Sequence, residues 1–303
     1  MKSAFTQLSS GNTTVPMRTG IEHPEYNGAS LFMPVYSPAK RQIGIKIVTL
    51  FRDNMSRDIP MINGVMLVFD ATNGLPLALL DAEFLTSLRT GAASGLATDV
   101  LARADAQIAV LFGAGAQGAS QLEAISQVRR LKKVYVFDKD LDKSSRFISK
   151  MSQRLPVRIE AAKSEEIVQE ADIICTATSS AKPVFAAGMI KPGTHINAIG
   201  SYKADKSEIP IETVINSKII VDSRTTALKE AGEIIQAIQS GKITDSHIYA
   251  ELGELIAGEK PARQNNQEIT LFKSVGNAVQ DLETAHLIIE RAREKKVGTE
   301  VIL

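Results

Sequence analysis

The chain has 303 residues, of which 44% are hydrophobic, and its 35 basic and 34 acidic residues nearly balance. At ~150 residues per domain this length predicts two domains. The balanced charge, without a basic stripe interleaved with aromatic residues, argues against a nucleic acid partner. No uncharged apolar run reaches the ~18 residues of a membrane span, so a membrane protein is not expected.

The cysteine and histidine content limits the chemistry. The single cysteine, Cys175, excludes an internal disulfide and fits a reducing compartment, so we expect a cytoplasmic protein. It lies in the apolar run ADIICTATSS, where an inert buried thiol is expected rather than a nucleophile. His23, His195, His247 and His286 are scattered without an HxxxH or CxxC partner, so no metal site is predicted.

The first hundred residues predict a helix, a strand-rich region and a second helix. MKSAFTQLSSGN is typical of an amphipathic helix closed by Gly11. This helix begins at Met1 without a cap, so we expect that a segment upstream is missing. Strands are predicted for SLFMPVYS, QIGIKIVTLF and NGVMLVFD, with turns at Pro38, Asp53-Asn54 and Asn63-Gly64 and a hairpin turn at Asn73-Gly74. DAEFLTSLRTGAASGLATDVLA predicts a helix with Asp81 as its N-cap.

From about residue 106 the pattern alternates between strand and helix. Strands are predicted for QIAVLFGAG, KKVYVFDKD, ADIICTATSS, HINAIGS and KIIVDSR, and helices for AQGASQLEAISQVR, SSRFISKMSQRL and SEEIVQEA. This βαβ alternation indicates a parallel sheet with helices on both faces. A long helix near the C-terminus is expected to return to the first domain.

A glycine-rich loop follows the first strand of this alternating region. Gly113, Gly115 and Gly118 in GAGAQG match the GxGxxG pattern and open a helix. The first glycine makes the tight turn, the second lets a pyrophosphate approach, and the third lets helix and strand pack closely. Asp138 ends the next strand, where a carboxylate can accept both ribose hydroxyls of NAD. The sequence therefore predicts a dinucleotide site that favours NAD(H), with NADP(H) as the alternative because Lys139 is adjacent.

Three cations lie outside this region. Alternation in GIKIVTL puts Lys46 on one face of a strand and Ile43, Ile45 and Ile47 on the other. Lys46 is either a guard on an edge strand or a charge that points into a site. Arg89, in LRTGAAS, is either a surface arginine or a carboxylate clamp, since the guanidinium fork matches a carboxylate. Arg18, in TTVPMRTG, does not by itself indicate a function.

The sequence resembles the ornithine cyclodeaminase and mu-crystallin family over nearly its whole length. The resemblance rests on VPMRT, IGIKIVTLF, LRTGAASGLAT, VLFGAGAQG, HINAIGS, AELGELIAG and EITLFKSVGNAVQD. It implies an α/β fold, with a Rossmann-type doubly wound parallel sheet in residues 99–269. Residues 1–98 with 270–303 would form a separate α+β domain for substrate binding and dimerisation. The resemblance thus implies a homodimer with a small anionic imino or amino acid as substrate.

The resemblance also implies the site residues. Arg18, Lys46 and Arg89 would hold the substrate carboxylate, with Lys46 and Arg89 catalytic and Val275 near the substrate and nicotinamide. The remaining cofactor contacts would come from Thr90, Gly113, Gly115, Ala116, Gln117, Gly118, Asp138, Thr178, Gly200, Ser201, Lys206 and Ser274.

One position separates the activities within this family. In ornithine cyclodeaminases the strand that corresponds to HINAIG runs into Gly-Gly-Asp, and the aspartate takes part in the loss of ammonia. Here Tyr202 stands at that position, and Asp205, three residues later, matches no catalytic position. Deamination needs a carboxylate base, whereas imine reduction needs a hydride donor, a carboxylate clamp and a proton source.

We therefore expect an NAD(P)H-dependent reductase of Δ1-pyrroline-2-carboxylate or Δ1-piperideine-2-carboxylate, giving L-proline or L-pipecolate. The alternatives are an ornithine cyclodeaminase, an alanine dehydrogenase and a non-enzymatic crystallin-like binding protein.

Overall fold

The computed structural model describes residues 1–301, without the side chain of Met55, and divides into two compact units. We call Ser3–Arg89 with the chain from Asn277 onward the antiparallel unit, and Thr90–Gly276 the parallel unit. The sequence-based boundaries, 98/99 and 269/270, differ from these divisions. The first division falls inside one continuous helix, whose periodicity gives no sign of a boundary.

The strands and helices are as follows. The strands are β1 (Thr19–His23), β2 (Gly28–Ser37), β3 (Gln42–Phe51), β4 (Ile62–Asp70), β5 (Pro76–Asp81), β6 (Ile108–Phe112), β7 (Lys133–Phe137), β8 (Arg158–Ala161), β9 (Ile173–Thr176), β10 (His195–Ala198), β11 (Lys218–Val221), β12 (Ile248–Glu251) and β13 (Thr270–Lys273). The helices are α1 (Lys2–Ser9), α2 (Ala82–Leu101), α3 (Ala116–Val128), α4 (Leu141–Ser152), α5 (Ile211–Ile215), α6 (Arg224–Glu230), α7 (Gly232–Gln239), α8 (Leu252–Ile256) and α9 (Ala278–Lys295).

The antiparallel unit is a sheet in the order β1-β2-β3-β4-β5, covered on one face by α9. Met33, Val35, Met66 and Val68 lie on the covered face and pack against Leu282 of α9. The prediction that the last long helix returns to the first domain is confirmed. Lys46 also lies on the covered face, while Ile43, Ile45 and Ile47 alternate with it. Because β3 is hydrogen-bonded on both sides, Lys46 is not an edge guard.

Most local predictions for this unit are confirmed. Gly11 follows α1 with a φ of 71°, and Gly74 turns the β4–β5 hairpin with a φ of 77°. The Asp81 carboxylate caps α2 by accepting from the N–H groups of Glu83 (2.7 Å) and Phe84 (3.2 Å).

The predicted turn at Asn63-Gly64 is wrong, because both residues lie inside β4 and pair with β3. A Cβ on Gly64 would lie 3.0 Å from the carbonyl oxygen of Ile47 and 3.2 Å from the Cβ of Ala82. This glycine allows a close approach of the backbone rather than a reversal of the chain.

The parallel unit contains a sheet in the order β12-β11-β13-β10-β9-β6-β7-β8, with every neighbouring pair parallel. Alternate residues of β6 enter two separate cores, Val110 and Phe112 on one face and Ala109 and Leu111 on the other. The predicted doubly wound parallel sheet is confirmed. One detail differs, since SEEIVQEA forms a 3-10 helix (Glu165–Glu170).

From β6 the chain continues to β7 and β8 on one side and then crosses to β9 and β10 on the other, so the strand order reverses between β6 and β9. Ligands of such sheets bind at the carboxyl ends of the strands near this reversal. Over residues 1–301, no helix is both long and apolar enough to cross a bilayer.

Candidate active site

The glycine loop between β6 and α3 leaves room for a phosphate group. Gly113 has a φ of 103°, and a Cβ there would lie 2.5 Å from the carbonyl oxygen of Ala177. A Cβ on Gly118 would collide with the carbonyl oxygen of Gly113. At Gly115, the N-cap of α3, a Cβ would meet no described atom within 4 Å. The open space faces the first turn of α3, as a bound pyrophosphate requires.

Asp138 follows β7 and braces the same loop. Its carboxylate accepts from the N–H of Ala114 (2.8 Å) and of Asp140 (3.0 Å), and lies 3.2 Å from Nζ of Lys143. Burial opposes ionisation, but these hydrogen bonds and the ammonium outweigh it and lower the pKa of Asp138. The carboxylate is thus ionised at neutral pH. Lys143, which the sequence reasoning did not single out, is the cation beside it.

The carboxyl ends of β9 and β10 are joined by one buried carboxylate, Glu208. Its Oε1 accepts from the N–H (2.7 Å) and the hydroxyl (2.6 Å) of Thr178. Its Oε2 accepts from the hydroxyl of Thr176 (3.0 Å) and the N–H groups of Gly200 (2.8 Å) and Ser201 (3.2 Å). Three residues predicted from the resemblance, Thr178, Gly200 and Ser201, therefore meet at one side chain.

Asp222 holds the loop after β13 in the same way, by accepting hydrogen bonds from it. Its Oδ2 accepts from the hydroxyl of Ser274 (2.8 Å) and from the N–H groups of Val275 (3.1 Å) and Gly276 (2.8 Å). Because β13 lies next to β10, this loop belongs to the same edge of the sheet. The predicted residues of the parallel unit are thus brought together at the carboxyl ends of neighbouring strands.

The antiparallel unit contains a second cluster, in which two predicted cations share one anion. Nζ of Lys46 lies 2.9 Å from each carboxylate oxygen of Asp281, and Nε of Arg89 lies 3.1 Å from Oδ1. Arg89 also donates to the amide oxygen of Gln280 at 2.7 Å. Lys46, Arg89 and Asp281 are 1%, 6% and 0% exposed, so the pairing is shielded from water.

This environment changes the acidity of Lys46. Burial lowers its pKa to about 8, with Asp281 acting in the opposite direction and the charges of Arg89 and Arg18 contributing to the decrease. Arg18, itself half-buried, is thus electrostatically part of the cluster. A lysine with such a pKa can give up a proton near neutral pH while it still carries charge for an anion.

The other predicted residues occupy varied positions. Ala116 and Gln117 lie in the first turn of α3, Thr90 is buried in α2, and Lys206 is half-buried in the loop after β10. Tyr202 and Asp205 of that loop are exposed.

The expected inertness of Cys175 is supported by its environment. It is 2% exposed, and burial raises the pKa of its thiol to about 12. Within residues 1–301, no three His, Cys, Asp or Glu side chains are grouped so as to hold a metal ion.

The sequence reasoning missed the charged groups that hold the predicted ones. Asp281, Glu208 and Asp222 each bind predicted site residues, and all three are fully buried. A signal was present for two of them, since Asp222 ends the apolar run KIIVD and Asp281 interrupts the apolar spacing of the last helix. A buried carboxylate needs partners, so such positions merit attention.

Known proteins resemble this chain in both sequence and structure. The profile of the ornithine cyclodeaminase/mu-crystallin family matches residues 1–296. A Δ1-pyrroline-2-carboxylate reductase of Bacillus cereus is 36% identical over 301 residues, which cover 98% of this chain and 92% of the relative. The structure of Δ1-pyrroline-2-carboxylate reductase of Thermococcus litoralis with NADH and L-proline is 42% identical, with a TM-score of 0.95 over 99% of this chain and 93% of that one. An archaeal alanine dehydrogenase dimer with bound NAD is 33% identical, with a TM-score of 0.93 over 100% of this chain and 92% of that one.

Proposed function

The chain belongs to the ornithine cyclodeaminase/mu-crystallin family, and we propose that it is an NADH-dependent reductase that converts Δ1-pyrroline-2-carboxylate to L-proline. The observation that carries this proposal is the 42% identity, over nearly the whole chain, with a reductase solved with NADH and L-proline. Tyr202, at the position of the cyclodeaminase aspartate, supports it from within the sequence. The six-membered homologue Δ1-piperideine-2-carboxylate, giving L-pipecolate, presents the same carboxylate and imine.

We propose that Arg18, Lys46 and Arg89 hold the substrate carboxylate. The support is electrostatic, since Lys46 and Arg89 share the single carboxylate of Asp281 and the buried cluster keeps a surplus positive charge. A guanidinium binds a carboxylate with two parallel hydrogen bonds, so Arg89 would fix the orientation of the ring. Gln280 restricts Arg89 by accepting one of its N–H groups.

Lys46 is the proposed proton donor to the imine nitrogen. An iminium accepts hydride more readily than a neutral imine, and burial brings the pKa of Lys46 to about 8. Asp281 keeps the resulting amine oriented through its two oxygens. When bound, NADH supplies the hydride that reduces the imine carbon.

The proposed cofactor site lies in the parallel unit. The glycine loop and the first turn of α3 (Gly113, Gly115, Ala116, Gln117 and Gly118) would bind the pyrophosphate, and ionised Asp138 would accept the adenosine ribose hydroxyls. Thr90, Thr178, Gly200, Ser201, Lys206, Ser274 and Val275 are the proposed contacts toward the nicotinamide. The lowered pKa of Asp138 supports NADH over NADPH, because an ionised carboxylate repels a 2′-phosphate.

Two assays test the activity. Oxidation of NADH with Δ1-pyrroline-2-carboxylate is expected, with L-proline formed in equal amount. Release of ammonia from L-ornithine in the presence of NAD, without net NADH change, would overturn the proposal in favour of a cyclodeaminase. NADH binding with neither reaction would indicate a binding protein.

Alanine dehydrogenase is the second candidate, because an alanine dehydrogenase dimer is 33% identical to the chain. Pyruvate with ammonia gives an open-chain imine that carries the same carboxylate next to the imine carbon. A kcat/KM for pyruvate and ammonia above that for the cyclic imine would favour this candidate.

We further propose a cytoplasmic homodimer that associates through the uncovered face of the antiparallel sheet. Tyr36, Ile43, Val65 and Leu79 lie on that face and are 41%, 41%, 38% and 67% exposed. An apolar face of this kind is typical of a subunit interface, and the alanine dehydrogenase relative is a dimer. The mass in solution, measured by light scattering for the wild type and Leu79→Lys, tests this. A monomeric wild-type protein would contradict it.

A further inference from the structure

Three fully buried charged residues lie at the carboxyl ends of β9, β10 and β13. Glu208, Glu233 and Lys273 are each 0% exposed. Nζ of Lys273 lies 3.0 Å from Oε2 of Glu233 and donates to the carbonyl oxygen of Ser201 at 2.6 Å. Oε1 of Glu233 accepts from the N–H of Glu208 at 3.2 Å. The three side chains form one network of two carboxyl groups and one lysine amine.

Glu208 is the centre of this network. Its carboxylate accepts five hydrogen bonds, three of them from backbone N–H groups that can only donate: those of Thr178, Gly200 and Ser201. Burial raises the pKa of Glu208, while the hydrogen bonds from Thr178 and the charge of Lys273 act in the opposite direction by favouring the ionised form.

A neutral side chain of the same shape does not fit the five donors. A glutamine amide has one acceptor oxygen and one NH2 group. In one orientation the NH2 faces the N–H of Thr178, and in the other it faces the N–H groups of Gly200 and Ser201. Either orientation leaves at least one buried N–H without an acceptor and opposite another donor.

The packing around Gly200 makes this arrangement rigid. A Cβ on Gly200 would lie 2.5 Å and 2.6 Å from the two Glu208 carboxylate oxygens. At the start of α7, a Cβ on Gly232 would collide with the carbonyl oxygen of Lys206. The loop after β10 is therefore fixed from both sides, by the carboxylate and by the helix that carries Glu233.

We propose that Glu208, supported by Glu233 and Lys273, is a positioning residue that fixes the loops after β9 and β10 for the nicotinamide half of the dinucleotide. This inference rests on the proposed cofactor site in the parallel unit. The proposed function does not include this requirement. Glu208 need not touch the cofactor, yet its charge would determine the affinity for the nicotinamide half of the dinucleotide. The glycine loop and Asp138 are the proposed contacts of the other half, and the carboxylate of Asp138 accepts hydrogen bonds from Ala114 and Asp140.

A comparison of two ligands tests this proposal without turnover. NADH carries both halves of the dinucleotide, and ADP-ribose lacks the nicotinamide. For Glu208→Gln we expect NADH to bind more weakly, by on the order of tenfold, because the loops lose fixed N–H positions. ADP-ribose should bind Glu208→Gln and the wild type equally, as measured by calorimetry.

Asp172→Asn provides the matched control. Asp172 is a buried carboxylate that also accepts from two backbone N–H groups, those of Gln107 (2.8 Å) and Ile108 (3.0 Å), but at the amino ends of the strands. This variant should lower the melting temperature and leave both affinities unchanged. Thr176→Val, which removes one hydroxyl donor and keeps the backbone, should weaken NADH alone by a smaller factor and covers the case in which Glu208→Gln does not fold.

The outcomes separate the alternatives. If Glu208→Gln or Thr176→Val weakened the binding of NADH and of ADP-ribose equally, the proposal would be overturned. Glu208 would then stabilise the fold in general and would not position the loops for the nicotinamide half. Unchanged NADH affinity would overturn it as well. Failure of the proposed reaction would be seen in the wild type with the imine, which these binding measurements do not use.

Discussion

Lys46 and Asp281 are 235 positions apart in sequence, yet Nζ of Lys46 lies 2.9 Å from both carboxylate oxygens of Asp281 in a cluster that excludes water. Arg89 shares the same carboxylate, so two buried cations depend on one anion. Lys46, Arg89 and Asp281 together therefore have one more basic than acidic group, and the nearby Arg18 adds another. The proposed substrate carboxylate would offset part of this positive charge.

Asp281→Asn should destabilise the protein more than removal of either cation. It leaves two buried cations without an anion, at a cost of about 3–5 kcal/mol in the free energy of unfolding. Lys46→Met leaves Arg89 paired with Asp281 and should cost clearly less. Urea denaturation with and without L-proline measures both effects, and L-proline should recover part of the loss in Asp281→Asn. Equal losses in the two variants would contradict this charge balance.

The rate of imine reduction should fall as pH rises through about 8. The pKa of Lys46 is lowered to about 8, so its ammonium form, which is the proposed proton donor and carboxylate partner, is lost above that pH. We expect kcat/KM to decrease by about tenfold per pH unit beyond it. Lys46→Arg, which stays charged throughout, should be slower but should lack this decrease. If kcat/KM of Lys46→Arg decreased in the same way with pH, the titrating group would be on the substrate and not Lys46.

The same pKa predicts how stability changes with pH. In the unfolded chain Lys46 keeps its proton up to its ordinary pKa of 10.5, whereas in the folded chain its pKa is about 8. Between these values the unfolded state binds more protons, so the contribution of Lys46 to stability increases as pH rises. The difference between the wild type and Lys46→Met in free energy of unfolding should therefore shift in favour of the wild type from pH 8 to pH 10. A shift of the opposite sign would be inconsistent with a lowered pKa.

Arg89→Ala should reduce kcat/KM by an amount that corresponds to about 2–5 kcal/mol, because a desolvated charge pair loses one partner. Arg291→Ala is the control, since the side chain of Arg291 is 66% exposed in the same unit and forms a surface pair with Glu294. The control should retain wild-type kinetics. An unchanged kcat/KM in Arg89→Ala would exclude Arg89 from the clamp.

Asp138→Ala should raise the preference for NADPH relative to NADH. The change removes an ionised carboxylate that repels a 2′-phosphate and leaves Lys143, which lies 3.2 Å from Asp138 Oδ2, available to a phosphate. The ratio of kcat/KM for NADPH to that for NADH should increase on the order of tenfold or more. Asp138→Ala combined with Lys143→Ala should lose most of this gain. An unchanged ratio in the single variant would show that Asp138 does not discriminate between the cofactors.

The sequence by itself determined the features that depend on near neighbours. The glycine loop, the Asp81 cap, the hairpin at Gly74 and the alternation that puts Lys46 opposite three isoleucines are all local, and the structure has each of them. That Arg18, Lys46 and Arg89 act together was implied only by the family resemblance, because the spacing of these charges left their roles open. The Asn63-Gly64 turn was wrong because a glycine in a strand and a glycine in a turn look alike without the neighbouring strand.

Only the tertiary structure decided which charges pair. Whether Lys46 guards an edge or lies inside depends on the strand order, and β3 has neighbours on both sides. Asp281, Glu208 and Asp222 obtain their roles from donors on other elements, such as Lys46 on β3, Thr176 at the end of β9 and Ser274 in the loop after β13. A buried ion is stable only when such partners surround it, and no local pattern encodes where the chain brings them together.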